Sequence, residues 1–374
     1  MHKIFAKCIK RSEFTAFHIL LLIGALSFLA LFCSKQSVPT DPLGLIEEEE
    51  IEPVDRNYNP HVEFCTWFQN KKAAYTIAFD DARESHYLIS APELEKRGMV
   101  GTFNLNTGTI TNWQPWQQLF DHGHEIGSHS RTHPRFTDLS EEEMRKELFM
   151  AKFDILENIK GATGVPSFAF PYGLSNDLAL RVVPDFHLTA RVGGGINKAE
   201  LADNDFNKIR GIGVYPPYDI DALNSKVQEA IRNKGWIIVY FHSVSAEEKS
   251  DVCTVPLSFF KRHLDFVSSL KDSLWIATQG EVARYIKARE MNRLTVRIVS
   301  NRIIKVKALA DSFYPETGRK ISFTLNMPGR WQHKKISVQN KNRQTYSVIK
   351  ACDKKAIFSI TPGSTLSIFA QKGY

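Results

Sequence analysis

Histidines are concentrated in one short stretch of this chain, HGHEIGSHSRTHP, which runs from His122 to Pro134. The last two, His129 and His133, stand four residues apart, a spacing that puts both side chains on one face of a helix. Such a pair can bind a metal, but it also occurs in surface loops and in buried polar packing. The rest of the sequence must decide between these interpretations.

A catalytic metal site needs a third protein ligand and an open position. The apolar run AAYTIAF, from Ala73 to Phe79, is followed directly by Asp80 and Asp81. Adjacent carboxylates point to different sides, so that one can bind a metal while the other stays free as a base. The alternative is a capping or turn role, which is common for Asp where a strand ends.

Two more polar features follow apolar runs. Pro171, Tyr172 and Gly173 come directly after SFAF, and such a turn can aim backbone N–H groups into a pocket, as an oxyanion hole requires. His242 follows WIIVYF, where a hydrogen-bonded structural histidine is the alternative to an acid catalyst. Because active sites gather at the carboxyl ends of strands in barrels and open sheets, we expect these features to meet.

The elements that must position these residues lie between about Cys65 and Glu290, where strand-like runs alternate with helical patterns. The predicted strands are AAYTIAF, VGTFNLN, SFAF, HLTA, WIIVYF and LWIA. A helix is predicted from Ser140 to Lys160, because Ser140 and Glu143 have the spacing of a capping box. This alternation predicts an α/β fold with a mostly parallel sheet, open or closed into a barrel.

The pattern changes after Met291. The segments LTVRIVS, IIKVKAL, ISFTLNM, KKISVQN, AIFSIT and TLSIFA alternate with a period near two, which predicts a small antiparallel, sandwich-like β module. Residues 291–374 carry 16 Lys and Arg against 3 Asp and Glu, whereas the net charge of the whole chain is +7. This excess suggests an anionic glycan or lipid surface as a partner, or else a solvated lysine-rich sheet face.

The N-terminal segment predicts export. Four Lys and Arg within the first 11 positions precede the apolar run FHILLLIGALSFLALF, and Cys33 follows that run. An export signal with lipidation at Cys33 and an uncleaved membrane anchor both fit, and a buried helix is the alternative. The five cysteines show no disulfide framework or zinc-ribbon spacing.

Four segments follow from these patterns. They are an export signal or anchor (1–33), a Pro- and Glu-rich tether (34–64), an α/β catalytic domain (65–290) and the basic β module (291–374).

The motifs AFDD, HSRTH, FPYG and VYFH, in this order and at these separations, resemble those of the NodB-homology polysaccharide deacetylases, carbohydrate esterase family 4. The resemblance covers about Ala73 to Ile286. It implies a distorted (β/α) barrel of seven or eight strands and a metal-dependent hydrolase. The expected reaction is removal of acetyl groups from a polysaccharide, as an N-deacetylase of amino sugars or an O-acetyl esterase.

The resemblance also implies roles for individual residues. Asp80 matches the general base, His242 the general acid, and Tyr172 the residue whose backbone N–H helps to hold the oxyanion. The residues that match the metal ligands are Asp81, His129 and His133. One divalent metal is implied, Zn²⁺ before Co²⁺, Ni²⁺ or Mn²⁺.

Two departures from the family pattern stand out. Ala169 occupies the position where the family often has an Arg that holds the base, and Arg191 is the candidate replacement. The Asp-bearing stretch that orients the catalytic histidine in the family is not evident. Trp113, Trp116 and Phe136 flank the histidine motif and are candidates to stack on sugar rings, with a core role as the alternative.

The leading hypothesis is therefore a deacetylase of an extracytoplasmic, acetylated polysaccharide, attached to the cell envelope. One alternative is a catalytically silent glycan-binding protein on the same fold. The other is an amidohydrolase of a non-glycan small molecule. Nucleic acid is not expected as a partner.

Overall fold

The computed structural model describes residues 58–217, 219–247, 253–310, 320–331, 334–340, 345–350 and 354–371. Its strands are β1 Val62–Phe64, β2 Ala73–Asp80, β3 Thr102–Leu105, β4 Glu125–Ser128, β5 Ser167–Ala169, β6 Thr189–Gly193, β7 Ile209–Gly213, β8 Trp236–Phe241, β9 Ser243–Ser245, β10 Thr254–Pro256, β11 Leu274–Ile276, β12 Asn292–Ser300, β13 Ile303–Ala310, β14 Ile321–Asn326, β15 Lys335–Gln339, β16 Thr345–Lys350, β17 Lys355–Ile360 and β18 Thr365–Ala370. Its α-helices are α1 Ala91–Glu95, α2 Gln114–Asp121, α3 Glu141–Asn158, α4 Asp177–Val182, α5 Ile220–Arg232, α6 Leu257–Ser269 and α7 Gln279–Met291.

Strands β2 to β8 form a closed parallel barrel, because β2 pairs with both β3 and β8. Strand β11 shares one edge of β2 with β3: β11 pairs with Ala73–Tyr75, and β3 pairs with Ala78–Asp80. This shared edge distorts the barrel. The closed order of β2 to β8, with β11 beside β2, confirms the predicted (β/α) barrel of seven or eight strands.

The apolar runs that predicted strands are the buried centre of the barrel. Every residue of β2 and of β8 is buried, as expected for parallel strands that are covered on both faces. The predicted helix is α3, and the capping box of Ser140 and Glu143 is present. Strands β4 and β7 were not predicted, because EIGS and IRGIG are short and contain Gly, which lowers strand propensity.

The C-terminal strands form the predicted sandwich. One antiparallel sheet has the order β12-β13-β18-β15-β16 and the other β1-β14-β17. Side chains from both sheets, among them Val306, Phe323 and Ile368, share one apolar core.

Strand β1 corrects the predicted tether of residues 34–64. Val62–Phe64 pairs with Phe323–Leu325 and so belongs to the sandwich. The alternation in this segment spans three residues, too few to reveal a strand in the sequence. Residues 1–57, which include the predicted export segment, lie outside the described residues. Across the described ranges, no helix combines the length and the apolar content that crossing a bilayer requires.

Candidate active site

Three predicted metal ligands meet at the carboxyl end of the barrel. The Nε2 atoms of His129 and His133 lie 3.6 and 3.4 Å from Oδ1 of Asp81, and 3.2 Å from each other. In a tetrahedral zinc site with bonds of about 2.0–2.2 Å, ligand atoms are separated by about 3.3–3.6 Å. The three atoms therefore fit one divalent ion.

The histidine pair lies in a loop after β4 and not on a helix. Ser130 and His133 have φ values of 66° and 62°, in the left-handed region that non-glycine residues rarely adopt. Glu147 of α3 holds the loop, since its Oε2 accepts hydrogen bonds from the backbone N–H groups of Arg131 and Thr132 at 2.9 and 2.8 Å. This fixed loop turns both imidazoles toward Asp81.

The environment of His129 suits a metal ligand. Its Nδ1 donates a 2.7 Å hydrogen bond to the carbonyl oxygen of Ala169, which leaves the Nε2 lone pair directed at the cluster. Burial lowers the pKa of His129 to about 4, against the opposing effect of the Asp80 charge. The ring is therefore neutral at physiological pH, as a ligand must be.

Asp80, next to the cluster, is held by two other side chains. Its Oδ2 accepts a short hydrogen bond from the guanidinium of Arg191, and its Oδ1 accepts one from Nδ2 of Asn104 at 2.9 Å. Burial alone would raise the pKa of Asp80, but Arg191, helped by the two nearby histidines His129 and His242, holds that pKa well below its usual range. Asp80 is therefore a carboxylate throughout the physiological pH range.

Arg191 supplies the cation next to Asp80 that Ala169 cannot supply. Ala169 of β5 and Arg191 of β6 are directly paired neighbours, so that the cation comes from the adjacent strand. The guanidinium carbon lies 3.8 Å from the ring centre of Tyr240 on β8. Gly211 of β7 leaves the room for this arrangement, because a Cβ atom there would lie 2.7 Å from Cδ of Arg191.

His242 is held without a carboxylate partner among the described residues. Its backbone oxygen accepts a hydrogen bond from Nε2 of His86, whose pKa burial lowers to about 4. The rings of Tyr215 and Tyr240 lie 5.5 and 6.0 Å from the His242 ring, centre to centre. Its Nδ1 is buried and has no hydrogen-bond partner within the described part of the chain. Within the described ranges, packing against Tyr215 and Tyr240 orients this side chain.

Tyr172 adjoins the metal ligands. Its φ is 60°, and its ring lies 4.7 Å from that of His133, centre to centre. The side chain is 56% exposed, with the guanidinium of Arg135 4.5 Å from its ring centre. The PYG turn thus brings both a backbone amide and an exposed aromatic ring beside the cluster.

The predicted stacking role of Trp116 is wrong. Trp116 is 2% exposed and packs edge-on against His86 and Tyr87, because α2 turns Trp116 and Leu119 toward the barrel. Phe136 is also buried, against other phenylalanines, which rules out the same role. Trp113 is half-buried and packs on the barrel core. Among the described residues, Tyr172 and Tyr215 place exposed aromatic rings next to the site residues.

Sequence reasoning missed several supporting residues. Asn104 is the last residue but one of β3, and a polar side chain near the carboxyl end of a strand-like run is a signal for a site residue. His86 and Tyr240 gave no such signal, since their contacts join residues far apart in the chain.

Part of the chain is similar to known proteins. Residues 69–190 match the sequence model of the family described as Polysaccharide deacetylase. A gellan lyase from a Bacillus species is 21% identical over 278 residues, which is 67% of this chain but only 11% of that much longer protein.

Solved structures with a similar fold include two carbohydrate esterase family 4 proteins. The Xyl-CE4 domain of a xylanase from the hindgut metagenome of Trinervitermes trinervoides is 19% identical, with a TM-score of 0.41, over 57% of this chain and 90% of that domain. A pseudoenzyme from Bacillus anthracis is 19% identical, with a TM-score of 0.40, over 57% of this chain and 66% of that one. The similarity to the Polysaccharide deacetylase family thus rests on residues 69–190, which include strands β2 to β5 of the closed parallel barrel.

Proposed function

We propose that this chain is a divalent-metal-dependent hydrolase that removes acetyl groups from an extracytoplasmic polysaccharide. The observation that carries the proposal is the cluster of Asp81, His129 and His133 beside the buried pair of Asp80 and Arg191. Three ligand atoms with a separate, ionised carboxylate next to them are the parts that water-mediated acyl hydrolysis requires.

The reaction is derived from the residues in place. A metal held by Asp81, His129 and His133, Zn²⁺ first by its preference for such ligands, would supply a Lewis acid for the acetyl carbonyl and for water. Asp80, kept ionised by Arg191, accepts the proton of the attacking water on a carboxylate oxygen. The backbone N–H of Tyr172 is available to the oxyanion, and His242 donates a proton to the departing amine or alcohol.

The test is acetate release by the metal-loaded protein from chitooligosaccharides, poly-N-acetylglucosamine, peptidoglycan and acetylated xylan. Release from at least one substrate, and its loss after chelation, is the expected result. A protein that holds the metal but releases no acetate from the whole panel favours the silent glycan-binding alternative. One observation supports that alternative: the cation next to Asp80 is Arg191 of β6, whereas the family often has an Arg at the position of Ala169.

We also propose that the basic module binds an anionic glycan or lipid surface. The four basic residues Arg293, Arg297, Lys305 and Lys307 project from one exposed face of β12 and β13. Arg297 stands directly opposite Lys305 in the antiparallel register. Like charges placed opposite each other destabilise a sheet, and a bound anion offsets this repulsion.

Finally, we propose that the chain is exported and attached to the cell envelope, as a lipoprotein at Cys33 or by an uncleaved anchor. The basic start and the apolar run of residues 17–32 support this. The full-length chain should partition with membranes. If Cys33→Ser leaves processing and partitioning unchanged, the uncleaved anchor is favoured; a soluble wild-type chain contradicts both versions.

A further inference from the structure

A cavity of about 940 Å³ opens at the end of the barrel opposite the candidate active site. Pro166 and Leu188 line it and directly precede β5 and β6. Asp81 and His242 directly follow β2 and β8. Because the barrel strands are parallel, the cavity lies at their amino ends and the candidate active site at their carboxyl ends. A cavity of this volume is large enough for a ligand of sugar size.

The lining of the cavity is strongly cationic. The positively charged side chains in it are Lys152, Arg181, Arg284 and Lys287. Asp185 is the acidic residue of this lining, and its Oδ2 already accepts a 2.8 Å hydrogen bond from Arg145. Among the described lining residues, no further acidic side chain is present to pair with Arg181 and Arg284.

Two of the cations have roles in the fold. Nζ of Lys152 donates a 2.6 Å hydrogen bond to the carbonyl oxygen of Phe186, and Nζ of Lys287 lies 4.3 Å from the ring centre of Phe206. Arg181 and Arg284 are different, because neither guanidinium has an ion pair or a hydrogen bond with any other described residue. Unpaired guanidinium groups in a concave surface are suited to bidentate recognition of a carboxylate or a phosphate.

His187 adds a second polar function to the same lining. It is 4% exposed, and its Nδ1 donates a 2.8 Å hydrogen bond to the carbonyl oxygen of Val165. Its Nε2 is therefore an acceptor, and it has no partner among the described residues. Burial lowers the pKa of His187 to about 4, so this acceptor persists at neutral pH.

We propose that this cavity is a second carbohydrate-binding site, and that its ligand is an acidic sugar whose carboxylate or phosphate contacts Arg181 and Arg284. The faces of Leu180 and Phe186 pack against the sugar ring. The site is separate from the reaction centre, so the proposal holds whether or not the chain hydrolyses acetyl groups.

The experiment is calorimetric titration of the full-length chain at low ionic strength with trigalacturonate, glucose 1-phosphate and neutral maltotriose. At least one acidic probe should bind, and Arg181→Gln/Arg284→Gln should weaken it by about tenfold or more, as expected for lost charge-assisted hydrogen bonds. Whichever acidic probe binds more tightly identifies the group, carboxylate or phosphate. Acetate release, where present, should be unchanged in the double variant.

Arg232→Gln is the matched control. Like Arg181, Arg232 is exposed and lies in the last turn of a helix, but it does not line the cavity. The proposal is overturned if neither acidic probe binds, if maltotriose binds equally well, or if the double variant and Arg232→Gln lose the same affinity. If the double variant does not fold, Arg181→Gln alone, at an exposed position, provides the same comparison.

Discussion

The guanidinium of Arg191 and the carboxylate of Asp80 form an ion pair inside the barrel, with side chains that are 1% and 3% exposed. The pair joins β6 to β2, on opposite sides of the barrel, next to three ligand atoms that can hold one metal ion. The positive charge of Arg191 keeps Asp80 ionised, and only the ionised carboxylate can accept a proton.

Replacing Arg191 should therefore move the acid limb of the pH–rate profile. The cation lowers the pKa of Asp80, so that removing it raises this pKa and the carboxylate is lost at a higher pH. Arg191→Gln should shift the limb upward, whereas Arg191→Lys, which keeps the charge, should shift it less. The pH dependence of kcat/KM measures this shift. If the acid limb of Arg191→Gln lies at the same pH as that of the wild type, Arg191 does not set the pKa of Asp80.

Removing one of the clustered histidines should abolish metal binding. His129→Ala deletes one of three ligands, so the purified protein should lose its stoichiometric metal, as measured by elemental analysis. His122→Ala is the control, since His122 belongs to the same motif but contacts Glu95 at the surface. Equal metal content in His129→Ala and the wild type would contradict the site.

Asp80→Asn should keep the metal and lose turnover. Loss of a general base costs on the order of 10²- to 10⁴-fold in rate. The substitution also leaves Arg191 buried without a counter-charge, at a cost of about 3–5 kcal/mol in stability. The thermal midpoint must therefore be measured alongside the rate. Asp80→Asn/Arg191→Gln should recover part of the stability but none of the activity; recovered activity would mean that Asp80 is not the base.

His242→Ala should slow amide substrates more than ester substrates. An amine is the worse leaving group and depends more on a proton donor. The measurement is the loss of kcat on an N-acetyl substrate divided by the loss of kcat on a matched O-acetyl substrate. Tyr215→Phe, which keeps the ring against His242, is the control and should have little effect on it. Equal losses on both substrates would argue against His242 as the acid.

Binding to anionic surfaces should depend on the basic face of β12 and β13. Arg297→Gln/Lys305→Gln should weaken binding to anionic vesicles at low salt and leave little difference at high salt, where exposed charges are screened. The same change removes a repulsive pair, so the thermal midpoint should not fall. Arg232→Gln, which removes one exposed positive charge outside this face, serves as the control, and equal binding by both variants would limit the face to a structural role.

A deletion of residues 291–374 is a poorer test of that face. Ile321 of β14 packs against Tyr285 and Ala288 of α7, and the hydroxyl of Tyr285 donates a hydrogen bond to the carbonyl oxygen of Cys65. Removing the module would expose this apolar contact and leave β1 unpaired. Lost binding would then be confused with lost folding.

The alternation of strands and helices predicts a mostly parallel sheet, and the resemblance of the four motifs implies the barrel and the metal cluster. Asp81 follows β2 directly, and the parallel strands bring their carboxyl ends together. The function of Gly211 cannot be predicted in this way. Its small size matters only because Arg191, on the neighbouring strand, lies across it.

The error over Trp116 has a similar origin. An aromatic residue near a histidine motif suggests a sugar platform, but the side on which a helix buries its residues depends on packing against the barrel. Strand β1 was missed because its partner strand is remote in the sequence, and local patterns carry no information on such pairing.

The position of β1 has a consequence for synthesis of the chain. The hydroxyl of Tyr58 donates a hydrogen bond to the carbonyl oxygen of Asn326, 268 residues later. At about 5–20 residues per second, the ribosome needs on the order of tens of seconds to reach β14. Until then the apolar faces of Val62 and Phe64 have no partner, although the barrel strands that follow them are already complete. The nascent chain thus carries an unpaired strand edge through most of its translation, when chaperone binding or aggregation competes with folding.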